Sequence, residues 1–310
     1  MKKNFISWLS IFFMAALCAG FTSCGGDDDD NGGASGGASG GAGGFTPGKF
    51  MGPKRVFGDN LLSSFETNDH YHQPFENYEL VYNSDDFVTE VKEVDFYNDS
   101  KHYTTRFEVS YSDNQVIIND SRYNNGAKYV FNIGSNGFAE SYTYYKSEGV
   151  ERLVVIFEYD SEGHLTKLTD TEDDGDIFIG TLKWQDGNMV EQCDNDNSDH
   201  VMKWPRYCTY TDISNFAGAF IRADIGNDML DLFDEVFYYM GLLGKGTKNL
   251  VKSYSDNHTS YSGYTNSITG ENEWTLDNAG RPVKCVTTET KTSEGSSPRI
   301  NTYYYIWNYR

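Results

Sequence analysis

Any chemistry in this chain has to come from carboxylates, tyrosines and a few scattered thiols and imidazoles. The run Asp170-Thr171-Glu172-Asp173-Asp174-Gly175-Asp176-Ile177 overlaps a calcium-loop pattern, with acids at alternate places and glycine at the sixth. Carboxylates spaced this way converge on a hard cation when the loop curls around it. Asp170, Glu172, Asp174 and Asp176 are therefore the candidate calcium ligands. Against them, the twelfth place is Thr181, where a bidentate glutamate belongs, and the flanks read as strands, so a solvated hairpin tip is the competing reading. Asp194, Asp196 and Asp199 form a weaker acidic set. His70 and His72 flank Tyr71 and could share a strand face, but no third ligand lies nearby in sequence.

Nucleophilic and phosphate chemistry find no support. No serine sits in a Gly-x-Ser-x-Gly elbow, and no glycine-rich phosphate loop follows a strand. Aromatic side chains offer a different possibility. Tyr142, Tyr144, Tyr303, Tyr305 and Trp307 could stack on sugar rings, because an apolar face combined with a phenol or indole hydrogen bond suits glycans. The same residues are also ordinary occupants of a half-buried sheet.

The chain carries a formal net charge of −21. A polyanion is repelled by nucleic acid and by anionic headgroups, which excludes nucleic acid as a partner. With 23 tyrosines and 20 phenylalanines among its 310 residues, it is too aromatic to be a disordered acidic chain. Lys2 and Lys3 precede an apolar stretch from Phe5 to Phe21, short for a membrane span and suited to a signal peptide. Thr22 and Ser23 then lead into Cys24, the expected lipidation site, so that residues 1–23 are cleaved and Cys24 anchors the chain. Residues 24–54 read as an acidic and glycine-rich tether. Residues 55–310 read as one domain. Cys193, Cys208 and Cys285 fit neither a zinc nor a redox spacing and permit one disulfide at most, with Cys193 and Cys208 the nearer pair.

The elements that must position these residues follow from a train of turns. Asp85-Asp86, Asn98-Asp99, Asp113-Asn114, Asn125-Gly126, Asn136-Gly137, Glu148-Gly149, Glu162-Gly163, Asp174-Gly175 and Asp186-Gly187 recur at about the interval of consecutive hairpins. Between them the apolar residues alternate. Phe107, Val109 and Tyr111 share one face, as do Tyr129, Phe131 and Ile133, then Leu153, Val155, Phe157 and Tyr159. Such alternation predicts strands with one buried side. The meander pauses after Trp204-Pro205. Residues 227–243 change period, with Met229, Leu232, Phe233, Val236, Phe237 and Met240 at helical spacing. This predicts one helix, stopped by Gly244 and Gly246, that plugs an end or face of the sheet with Asp231, Asp234 and Glu235 on its wet side. The fold class is mainly all-β: a long antiparallel meander, open or barrel-like, with one short helix.

Several turns share the form aromatic strand, Asp, two residues, Gly, then a basic or apolar strand. Tyr159-Asp160-Ser161-Glu162-Gly163-His164-Leu165 is the clearest, and Leu276-Asp277-Asn278-Ala279-Gly280-Arg281-Pro282 is a second. With the helix closing in Gly241-Leu242-Leu243-Gly244, these hairpins resemble a Bacteroidetes surface-lipoprotein domain family of unknown function with a porin-like β fold. They are also similar to the YD repeats of Rhs-type proteins. The resemblance spans about residues 78–310 and implies no catalytic residue. Asp27 to Asp30, close behind Cys24, resemble the surface-export signal of Bacteroidetes lipoproteins. A membrane pore does not follow, because strand faces carry Arg, Glu and Lys where lipid-facing positions should be apolar. Taken together, the sequence points to a non-catalytic lipoprotein facing the cell exterior that binds a glycan, peptide or partner protein. A structural or accessory envelope subunit is the second reading and a hydrolase the third.

Overall fold

The computed structural model describes residues 48–310 apart from 69–73, 98–99, 122–125, 148, 173–174, 176, 197–202, 221–233 and 260–264. Its strands run in chain order as β1 (Leu62–Asn68), β2 (Pro74–Tyr82), β3 (Val88–Tyr97), β4 (Ser100–Tyr111), β5 (Gln115–Asp120), β6 (Lys128–Ile133), β7 (Ala139–Ser147) and β8 (Val150–Tyr159). They continue as β9 (Leu165–Glu172), β10 (Ile177–Gln185), β11 (Asn188–Asp196), β12 (Lys203–Ser214), β13 (Asn249–Thr259), β14 (Thr265–Leu276), β15 (Pro282–Ser293) and β16 (Arg299–Tyr309). Each pairs antiparallel with its sequence neighbours, and β1 pairs with β16 at Phe65–Trp307, so the 16 strands close into a barrel. Two short helices complete the fold, α1 (Lys54–Phe57) and α2 (Asp234–Tyr239).

Alternation assigns the two faces as the sequence predicts. Along β4, Phe107 and Val109 are buried while Arg106, Glu108 and Ser110 are exposed. Along β14, Thr269, Glu271, Glu273 and Thr275 face out, whereas Trp274 packs inward. Cross-strand ion pairs lace the outer wall, among them Lys167–Glu158 at 2.7 Å and Lys183–Glu191 at 2.6 Å. This barrel is apolar within and polar without, the inverse of a membrane porin, whose outer band is apolar and whose lumen is wet.

Sixteen strands enclose more room than wall side chains can fill. Here the connection between β12 and β13 enters that space. On α2, Phe237 meets Phe131 of β6 and Tyr142 of β7, with ring centroids 4.7 and 5.8 Å apart. The neighbouring Tyr239 meets Phe65 of β1 at 5.0 Å and accepts a hydrogen bond from Trp307 Nε1 of β16 at 2.5 Å. One short helix that touches walls this far apart around the circuit lies inside it. Phe57 of α1 packs on Tyr238 and Tyr239 from the N-terminal side.

Three expectations need correction. The meander does not pause at Pro205, because β12 runs through it to Ser214. Pairing of β12 with β13 begins at Arg206, so the N–H that proline lacks is not called on along that edge. The described helix ends at Tyr239, short of Leu243, and residues 227–233, Asp231 included, lie outside the described residues. Glu235 is buried rather than wet, because α2 sits inside the barrel and is enclosed all round. The last strand, β16, is paired on both edges, and its outward Tyr304 and Ile306 are half-buried.

Candidate functional site: the capped end of the barrel

One end of the barrel is built from the Asp-x-x-Gly turns. In the β8–β9 turn, Asp160 Oδ1 accepts hydrogen bonds from the N–H groups of Glu162 and His164, both at 2.9 Å. Gly163 takes a positive φ of 91°, which the tight turn demands and glycine adopts freely. The second carboxylate oxygen holds the residue after the glycine: Asp160 Oδ2 lies 3.0 Å from His164 Nδ1. The β14–β15 turn repeats the device, with Asp277 Oδ1 accepting from Ala279 and Arg281 and Oδ2 accepting from Arg281 Nε at 2.8 Å. Backbone and side-chain donors from Arg281 hold the Asp277 carboxyl below its usual range. For Asp160 burial pushes the other way, and the hydrogen bonds from His164 outweigh it.

Sequence reading missed a third copy. In the β2–β3 turn Asn83 Oδ1 accepts from Asp85 and Phe87, and Asp86 takes the positive φ at 64° in place of glycine. The side chain glycine would lack is used there: Asp86 pairs with Lys54 and Arg310, each at 2.7 Å, tying the N-terminal segment and the C-terminus to one turn. The Lys54 hydrogen bond, aided by its charge, lowers the Asp86 pKa.

A strap lies across these turns. After α2 the chain emerges and is stitched to successive tips by backbone hydrogen bonds. Ala139 N–H bonds to Leu242 O, Lys245 N–H to Gly163 O at 2.9 Å, and Lys248 N–H to Gly187 O at 2.8 Å. The approach leaves no room for side chains at two positions. A Cβ on Gly244 would fall 2.5 Å from Gly163 O, and one on Gly246 would meet the Tyr238 hydroxyl. These glycines, expected to stop the helix, instead let the strap lie flat on the hairpins. The N-terminal segment joins from the other side, through Gly48 N–H to Ile133 O at 2.8 Å and Arg55 over the Phe138 ring at 4.3 Å.

Between strap and tips runs an open groove of about 360 Å³, lined by His164, Ser214, Asn215, Phe216, Lys245 and Lys248 among others. His164 is buried beneath it, stacked on Trp184 with centroids 4.3 Å apart. With Nδ1 committed to Asp160, Nε2 is the ring atom left for a ligand. Among the described residues no serine, threonine or cysteine hydrogen-bonds to His164, so this Asp–His pair has no nucleophile beside it. Lys245 and Lys248 are exposed, and no carboxylate of a described residue lies within ion-pair distance of either. Lys54, Lys92, Lys167, Lys183 and Arg281, by contrast, have acidic neighbours within 4.0 Å. Phe216 stands 49% exposed at the rim. The groove can hold an anion with an apolar face.

The residues singled out from sequence lie elsewhere. Cys24, His70, His72, Asp174, Asp176 and Asp199 lie outside the described residues, as do the side chains of Glu172, Asp194 and Asp196. Asp170 is on the inner wall, paired across from Val155 and Phe178. Tyr142, Tyr305 and Trp307 are buried at the level of α2, and Trp307 stacks on Trp274 at 5.6 Å. Tyr144 and Tyr303 are half-buried on the same inner wall, and Tyr144 stacks on Tyr129 at 4.7 Å. None of the five lines the groove. Nearby strands carry a second interior polar set. Arg206 donates to Asp256 Oδ2 at 2.9 Å and lies over the Tyr254 ring, and the Tyr254 hydroxyl donates to Glu289 at 2.9 Å. Cys193 and Cys208 cannot bridge, since Cys193 follows the inward Gln192 on the outer face while Cys208 is buried in the core; neither they nor Cys285 form a disulfide.

Comparison with known proteins agrees with this architecture. Residues 77–284 match a family described as a domain of unknown function (DUF4595) with porin-like fold. A crystal structure of a porin-like protein from Bacteroides uniformis superposes with a TM-score of 0.62 at 18% identity, covering 85% of this chain and 100% of that one. A porin-like protein from Bacteroides vulgatus gives a TM-score of 0.49 at 14% identity, covering 81% and 99%. No curated protein matches the sequence.

Proposed function

The chain belongs to the DUF4595 family of porin-like domains, and on that premise we propose that it is a non-catalytic surface lipoprotein that binds its ligand in the groove at the capped end. The observation that carries the reading is the pair of exposed lysines, Lys245 and Lys248, with no carboxylate of a described residue in ion-pair range, on the same groove as the oriented His164 and the exposed Phe216. A porin-like fold fits an envelope protein. The polar outer wall favours a barrel that stands in water beside the outer membrane rather than within it. On this reading Cys24 supplies the lipid anchor.

The reading is tested by screening the full chain against glycan arrays and envelope extracts beside a Lys245→Glu/Lys248→Glu variant. The expected result is a ligand retained by the parent and lost by the variant. A ligand indifferent to that variant, or none at all, overturns it. Stable co-purification with an outer-membrane transporter in detergent, with no separate ligand, would favour an accessory subunit instead. A Cys24→Ala chain is expected to leave the membrane fraction, and its retention there would overturn the anchor.

A further inference from the structure

We propose that the ligand of this groove is an acidic saccharide, a pyranose chain bearing carboxylates. The inference rests on the reading of the groove as a ligand site and adds the ligand's chemical class. Two exposed ammoniums on one groove, with no carboxylate of a described residue in ion-pair range, ask for negative charge on the ligand. Phe216 asks for an apolar face beside that charge, and its backbone is held in place. It occupies a tight turn closed by Gly218 N–H to Asn215 O at 3.0 Å, and Asn215 Oδ1 accepts from Ala219 N–H at 2.8 Å. An exposed aromatic ring on an anchored backbone suits the C–H face of a pyranose. The groove also has the size of small-molecule sites.

Two other anions fit less well. An acidic peptide would seek backbone partners or a free strand edge. The barrel is closed and has no such edge. The backbone N–H groups of Lys245, Lys248 and Asn215 are already bonded to Gly163, Gly187 and Lys248. A bare oxyanion leaves Phe216 unexplained. His164 Nε2 and the exposed Ser214 hydroxyl remain for sugar hydroxyls. Glu162, 4.0 Å from His164 Nδ1, confines the carboxylate to the lysine side.

The test is calorimetry on the full chain with oligogalacturonate, oligoglucuronate and sialyl-lactose, their methyl esters, and poly-glutamate. Esterification keeps the rings and removes the charge. At least one acid is expected to bind, and its ester about tenfold more weakly. Lys245→Ala/Lys248→Ala should weaken the acid about tenfold and leave the ester unchanged. Phe216→Ala should weaken acid and ester alike, about fivefold. All three side chains are exposed, and unchanged circular dichroism checks that the variants fold. Ester and acid binding equally, poly-glutamate binding tightest, or no acid binding overturns the inference. If the groove variants still weaken whatever ligand does bind, the groove survives as the site; if they change nothing, the underlying reading falls with the inference.

Discussion

The two walls of this barrel are made by the same strands and obey opposite rules. The inner wall meets α2 through close aromatic contacts, with Phe237 set among Tyr129, Phe131 and Tyr142. The outer wall carries Thr, Ser, Glu, Lys and isolated apolar residues such as Ile156 and Ile300. A membrane porin reverses both assignments. A porin-like strand order therefore says how the chain is connected and leaves the solvent of each wall to the residues, which here place water outside and protein inside.

The largest break in the comparison comes from alkali. Burial raises the pKa of Tyr82, Tyr111, Tyr159, Tyr239, Tyr254 and Tyr309 above that of a free phenol. A folded pKa above the unfolded one contributes stability below the unfolded value, near 10, and that contribution is lost as pH rises past it. The protein should unfold cooperatively above about pH 10, with phenolate absorbance appearing in step with loss of β dichroism. Gradual phenolate formation in a still-folded protein would mean that the interior is wet. Next in size is Phe237→Ala, which removes a fully buried ring and should cost about 4 kcal/mol in urea unfolding. Trp307→Phe keeps the packing, loses the hydrogen bond to Tyr239, and should cost about 1.5 kcal/mol.

Local pattern made much of this legible. Alternation gave the inward faces of β4, β6 and β8, and the Asp-x-x-Gly turns sit where their residues dictate. Closure was not readable, because period-two alternation says which face is buried but not which strand lies alongside. The Phe65–Trp307 pairing joins the two ends of the domain. The groove escaped for a similar reason. It depends on Gly244 lying against Gly163 O, a long-range approach that sequence shows only as one more glycine. A signal did exist. Residues 241–252 hold three lysines and no acid, an anomaly in so acidic a chain. The stacking candidates had the right chemistry and the wrong address, since Tyr142 and Trp307 alternate onto the wall that α2 covers.

The smallest predicted effect discriminates best between a barrel in water and one in lipid. Ile156 sits on β8 of the outer wall, 48% exposed, between the buried Val155 and Phe157. In a lipid-facing wall, a lysine near the bilayer midplane would cost about 2–4 kcal/mol and impair insertion. In a water-facing wall, Ile156→Lys exchanges one solvated side chain for another, and the change should stay within about 0.5 kcal/mol. Urea unfolding run in lipid vesicles and in detergent-free buffer separates the two. The adjacent inward position supplies the contrast, because Phe157→Lys places a charge among the core aromatics and should prevent folding. Equal tolerance at 156 and 157 would mean that the walls are not distinct. A large penalty at 156 alone would put lipid on the outside of this barrel after all.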